Sequence, residues 1–191
     1  MKNLEKKIAE LKKKLNEEIQ KEDSDNSLII SLSHELASLD QNQVRFSIDA
    51  QIIDRLGREL VAKQETAVSE LVKNAYDADS PEVELIFENA WDPGGTLYIK
   101  DWGNGMNRDE LINGFMRLSS SIKVHNPMSP KFNRTRAGKK GIGRFATQRL
   151  GEKLTIITQK RKSKTALKLS INWNDFEMDR DLVSISNTIE S

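Results

Sequence analysis

The apolar positions of this chain change period along its length. Over residues 1–22 nearly every position is Lys, Glu, Leu, Ile, Gln or Asn, and Leu4, Ile8, Leu11, Leu15 and Ile19 recur three or four apart. That spacing predicts a helix with one apolar stripe. The stripe keeps a heptad pattern for only about two repeats, short of the three or four that mark a coiled coil, so self-association and packing on the chain's own body both stay open. Asp23-Ser24-Asp25-Asn26-Ser27 supplies capping residues and a break. Helices follow over Leu28 to Leu39, over much of Asp49 to Ala62, and from Gln64 to Asp79, where Ser80-Pro81 stops the last.

Beyond Pro81 the pattern becomes strand-like. Val83 to Phe87 and Thr96 to Lys100 flank Asp92-Pro93-Gly94-Gly95 and predict a hairpin. From Trp102 to Lys140 the chain is polar and irregular, broken by one amphipathic helix near Arg108 to Leu118. A connection of that length is usually functional, and we assign it as a lid over about 107–140. A short helix to Leu150 comes next, then strands at Leu154 to Thr158, Ala166 to Trp173 and Leu182 to Ser186. Helices, strands, lid and strands in that order predict an α+β fold, a sheet covered on one face by helices. The domain spans 46–191 behind an N-terminal helical extension, 1–45.

Composition narrows the chemistry. The 191 residues carry 30 Lys+Arg against 29 Asp+Glu, a net charge of +1, so no global field points to nucleic acid or membrane. Without cysteine, and with only two histidines, disulfides, zinc-thiolate sites, thiol nucleophiles and histidine-rich metal centres are excluded. No apolar run reads as a signal peptide or a span, which predicts a cytoplasmic protein without a membrane partner.

Three segments carry candidate chemistry. At about 100° per residue, Glu70, Asn74 and Asp77 share one helix face, with Val68, Leu71, Val72, Ala75 and Ala78 behind it. The Asn74 side-chain oxygen suits Mg²⁺, a hard ion that keeps waters and phosphate oxygens around it. Glu70, one turn earlier, is placed to take a proton from a water attacking a γ-phosphate. A merely solvated acidic face is the competing reading. In the second segment, Asp101-Trp102-Gly103-Asn104-Gly105-Met106 ends a predicted strand. A buried Asp101 there can accept from an exocyclic amine such as adenine's, with Met106 against the ring and the glycines allowing close approach; the competing reading is a plain Asn-Gly turn. In the third, Gly138-Lys139-Lys140-Gly141-Ile142-Gly143 precedes a helix starting near Arg144, an arrangement that suits phosphate. Lys139, Lys140 and Arg144 add charge. The Gly141-Ile142-Gly143-Arg144-Phe145-Ala146 match to the dinucleotide fingerprint lacks its preceding strand, and a Walker A loop is absent.

In this order and spacing, Glu-Leu-Val-Lys-Asn-Ala-Tyr-Asp-Ala, Asp-Trp-Gly-Asn-Gly-Met and Gly-Lys-Lys-Gly-Ile-Gly together resemble the GHKL, or Bergerat-fold, ATPases over about residues 46–187. That superfamily gathers DNA gyrase B subunits, ninety-kilodalton heat-shock chaperones, histidine kinases, mismatch-repair ATPases and microrchidia proteins. Glu70 with Asp77-Ala78 is more similar to the chaperone, mismatch-repair and microrchidia branch. The resemblance implies a two-layer α/β sandwich with a mostly antiparallel sheet. It also implies ATP and Mg²⁺ as ligands, Glu70 as general base and Asn74 as metal ligand. Asp101 would be the adenine reader, Gly103 and Gly105 the wall beside the base, and Gly138, Gly141 and Gly143 the phosphate loop. Ser121 and Lys123 resemble the serine-lysine segment that such lids bring to the nucleotide. Thr158 and Ser170 both suit the polar position beside adenine.

The expected activity is slow Mg-dependent ATP hydrolysis by the N-terminal module of a larger protein, slow because those relatives complete the γ-phosphate site from a further domain. A nucleotide switch without turnover is the alternative. A third reading is a histidine kinase using His34 in Ser33-His34-Glu35-Leu36, against which stands the short interval between His34 and Glu70. Expected partners are ATP and a second copy, through the first helix or lid contacts. A nucleic-acid patch of Lys131, Arg134, Arg136, Lys139 and Lys140 is a lesser expectation.

Overall fold

The structure is a computed structural model that describes residues 2–40, 46–59, 63–118, 127–138 and 143–191. They form two compact units: 1–51 with 175–186, and 52–174 with 187–191. The units thus divide near residue 51, and a late segment returns to the first of them.

In the first unit, helix α1 (Lys2–Ile19) packs against helix α2 (Asn26–Ser38). Leu11 on α1 and Leu32 on α2 are buried, and Lys7 pairs with Glu35 at 3.0 Å. The α1 stripe is therefore used at least in part within its own unit. Asp25 caps α2 by accepting from the Ser27 and Leu28 amides at 2.8 and 3.2 Å. The returning segment bonds to 48–50: Ala50 N–H donates to Arg180 O at 2.8 Å, and Leu182 N–H to Ile48 O at 2.9 Å. The strand expected over Leu182 to Ser186 is instead a 3-10 turn, Leu182–Ser184. The cause is local, because the Asp181 carboxylate accepts from Val183 N–H at 3.1 Å and starts a helical turn where a strand would leave that amide for a neighbour.

In the second unit, α3 (Gln51–Asp54) runs into a π-helical stretch, Arg55–Glu59. Then comes α4 (Gln64–Asp77), whose length follows its run of Ala, Glu, Leu and Gln. Strands β1 (Val83–Glu88) and β2 (Thr96–Asp101) form the expected antiparallel hairpin, with Val83 opposite Asp101. Strands β3 (Lys153–Thr158), β4 (Leu167–Asn172) and β5 (Ile189–Glu190) form an antiparallel set in the order β3-β4-β5. Helices and antiparallel strands combine in an α+β fold. The helix expected over Arg108 to Leu118 is largely π-helical, at Glu110–Met116. Gly114 is a poor helix former, and the carbonyls of Gly114, Phe115 and Arg117 accept from the Arg144 guanidinium.

Alpha-4 is held in place by the 3-10 turn Gly143–Arg149, against which it packs. Ala67 of α4 and Ala146 of that turn are both fully buried, with Leu150 beside them. Two small side chains let the elements approach closely, which sets how near the end of the glycine segment lies to the polar face of α4.

Candidate functional site

Alpha-4 presents its polar face as its spacing requires. Glu70 and Asn74 are half-buried, and Asp77 is buried. Lys73 Nζ donates to Glu70 Oε1 at 2.7 Å. The helix ends in a Schellman motif, in which Ser80 N–H bonds to Ala75 O at 3.0 Å and Asp79 N–H to Tyr76 O at 3.1 Å. The left-handed position of that motif, normally glycine's, belongs here to Asp79, with φ +62°.

The turn after β2 lies on this helix end. Asn104 N–H donates to Ala78 O at 2.8 Å, and Trp102 N–H to Ser80 Oγ at 2.8 Å. Asp101 is exposed, contrary to the expected burial, because it sits at the strand's last position; its Oδ1 accepts from Gly103 N–H at 2.8 Å. Gly105, at φ +62°, is so close to the β3–β4 connection that a Cβ would lie 2.0 Å from Gln159 O. Met106 N–H donates to Thr158 Oγ1 at 2.9 Å. Of the two polar residues that suited the adenine side, Thr158 is buried against the turn and Ser170 is exposed on β4.

The glycine segment reaches the same helix from its two ends. Ala137 N–H and Gly138 N–H donate to the Asp77 carboxylate at 2.7 and 3.2 Å. A Cβ on Gly143 would come within 2.9 Å of Glu70 Oε2. Lys139, Lys140, Gly141 and Ile142 between them, and Ser121 and Lys123 of the lid, lie outside the described residues. Glu70 with Gly143, Asp77 with Gly138, and Ala78 with Asn104 are thus neighbours, so the three segments meet along one helix. Residues 62–191 match the family described as "Histidine kinase-, DNA gyrase B-, and HSP90-like ATPase".

The chain belongs to this family. As a GHKL domain it is an ATP-binding module. It is also similar to the DNA mismatch repair protein MutL of Thermosipho melanesiensis, 40% identical over 68 residues. That stretch is 34% of this chain and 12% of the relative, so the chain spans only a small part of that relative's length. The likeness places the GHKL domain near the mismatch-repair branch.

Two side chains of the GHKL domain are used differently from their sequence reading. Arg144, expected to face phosphate, is buried, with Nη1 donating to Gly114 O at 2.7 Å and Nη2 to Arg117 O at 2.8 Å. Burial lowers its pKa to about 10, so the cation persists at neutral pH and braces the π-helical stretch. Arg134 of the basic patch donates from Nη1 to Ser80 O at 2.8 Å and lies over the rings of Tyr76 and Phe132 at 4.7 and 4.6 Å. Its charge is therefore committed to the helix end.

Sequence reasoning passed over Asp79, whose side chain is 1% exposed. Its carboxylate accepts from Ser129 Oγ, Lys131 N–H at 2.8 Å, Phe132 N–H at 3.1 Å and Asn104 Nδ2 at 3.2 Å. Burial is the largest single influence on this group and pushes its pKa up. The four hydrogen bonds together outweigh it and lower the value to about 2. A signal was present: Asp77 and Asp79 stand at a helix C-terminus, where the macrodipole disfavours negative charge and glycine or asparagine is the usual left-handed residue.

No helix among the described residues is long and apolar enough to cross a membrane. In the first unit, His34 Nε2 pairs with Asp181 Oδ2 at 3.0 Å, beside a hollow of about 410 Å³ that also touches Ser31, Glu35 and Ser38.

Proposed function

We propose that this GHKL domain binds Mg-ATP along the polar face of α4 and hydrolyses it slowly. Adenine would sit at the Asp101 turn, with Gly103, Gly105 and Met106 lining it and Thr158 beside them. The triphosphate would lie toward Gly138 to Gly143, where Lys139 and Lys140 supply charge and backbone amides supply donors. Ser121 and Lys123 would come from the lid, and closure of the lid over bound ATP would drive rearrangement of neighbouring parts of a larger protein. The nearness of Glu70 Oε2 to Gly143, where a Cβ would come within 2.9 Å of it, carries the reading, since only a glycine there leaves the carboxylate room beside the end of the phosphate-binding segment.

Among the described residues no group of three or more His, Cys, Asp or Glu could hold a metal ion. A cation here would draw on Asn74 plus phosphate oxygens and water, which is how Mg²⁺ is ordinarily bound beside a nucleotide. The ion would neutralise charge on the phosphates; Glu70 would orient the water and accept its proton.

The Lys73–Glu70 ion pair, 2.7 Å long, favours a second reading. A Glu70 carboxylate engaged by the Lys73 ammonium is less available to orient a water, as in a nucleotide switch with little turnover. Titration with ATP, ADP and GTP, with and without Mg²⁺, tests binding; ATP selectivity over GTP is expected. Glu70→Gln should leave ATP affinity within a few-fold and cut phosphate release by ~10²-fold or more. Unchanged release in that variant would leave only the switch, and a rise in release for Lys73→Met would show that the ion pair restrains the base.

A further inference from the structure

We infer that Asp79 is a positioning residue that fixes the distance between the base-reading turn and the phosphate-binding segment, and so sets how much the triphosphate adds to binding. The inference rests on the nucleotide reading above.

Residues 127–138 form a hook on the end of α4. Ser129 N–H bonds to Arg134 O and Arg136 N–H to Pro127 O, each at 2.9 Å, closing a tight loop whose Asn133 has φ +51°. The hook is fastened at three points, one of them Arg134, which donates to Ser80 O at 2.8 Å. Asp77 takes the amides of Ala137 and Gly138 at its outgoing end. Asp79 takes Ser129, Lys131 and Phe132 at its bend, while the same carboxylate takes Asn104 from the base-reading turn. One side chain thus ties that turn to the hook that delivers Gly138.

The wiring is directional. Arg134 N–H donates to Ser129 Oγ at 2.9 Å, whose hydroxyl in turn donates to Asp79. Each carboxylate oxygen receives two donors: Oδ1 from Ser129 and Phe132, Oδ2 from Asn104 and Lys131. An asparagine amide in either orientation would point its NH₂ at two donors, so only an ionised carboxylate satisfies all four. The base-reading turn loses the acceptor of one donor and keeps supports at Ala78 O and Ser80 Oγ, whereas the hook loses the acceptor of three donors and keeps Asp77 and Arg134. Loss of the Asp79 carboxylate therefore frees the hook more than the turn.

Asp79→Gly is the clean test, because glycine is the preferred residue at this left-handed position and keeps the helix end intact. Affinities for ATP and for adenosine are measured by calorimetry on wild type and variant. The variant should hold adenosine within about twofold, while the preference for ATP over adenosine falls about tenfold; exchange of the Lys131, Phe132, Ala137 and Gly138 amides should quicken together. An unchanged ATP preference, or an equal loss for both ligands, overturns the inference. Should Asp79→Gly fail to fold, Ser129→Ala removes one of the four donors and should lower the same preference about threefold, with no change counting against it. Failure of the wild type to bind ATP at all would instead defeat the nucleotide reading, and the inference with it.

Discussion

The turn at 101–106 is held by donors from its own backbone, given to Asp101, Ala78, Ser80 and Thr158. The hook at 127–138 and the turn at 143–149 are held differently, by hydrogen bonds that have a charged side chain at one end. Asp77 and Asp79 anchor the hook, and Arg144 ties its 3-10 turn to the π-helical stretch. The base side therefore rests mostly on neutral acceptors, whereas the described part of the phosphate side rests on charged groups.

The largest expected effect strikes the base side. Gly105→Val puts a β-branched residue at φ +62° with its Cβ 2.0 Å from Gln159 O. It should cost more than about 4 kcal/mol and abolish ATP binding, measured by denaturant unfolding and ligand titration. A stable variant with intact binding would remove the distinction between the two sides.

Arg144→Met comes next. It leaves the carbonyls of Gly114, Phe115 and Arg117 without the buried guanidinium and should cost about 3 kcal/mol. Loss of ATP affinity without loss of thermal stability would return Arg144 to the phosphate role read from sequence.

Acid sharpens the comparison further. With its pKa lowered to about 2 from 3.8, Asp79 stabilises the fold fully above pH ~4, and that contribution disappears as pH falls toward 2. The shift corresponds to on the order of 2 kcal/mol. Wild type should lose about that much more stability than Asp79→Gly between pH 4 and pH 2, read by unfolding at each pH. Parallel acid profiles would show that the carboxylate is not strongly engaged.

Legibility followed the same division. Helix α4 and the β1–β2 hairpin could be read from period, proline, and glycine spacing because their determinants are neighbours in the chain, whereas the burial expected of Asp101 did not hold. The attachments could not, since Asp79 and Lys131, or Arg144 and Gly114, lie tens of residues apart and no local pattern pairs them. Arg144 shows the risk: beside three glycines it suggested phosphate, yet three carbonyls near the end of the π-helical stretch claimed it first. Leu182 to Ser186 failed for a local reason, as the alternating apolar run was outweighed by one capping aspartate, Asp181.

Hydrogen exchange with ATP and with adenosine tests most directly whether both sides serve one ligand. ATP should slow the backbone amides of 102–106 and those of 137–144 together, and adenosine only the first group. Protection by ATP in one segment without the other, or in neither, would contradict the site.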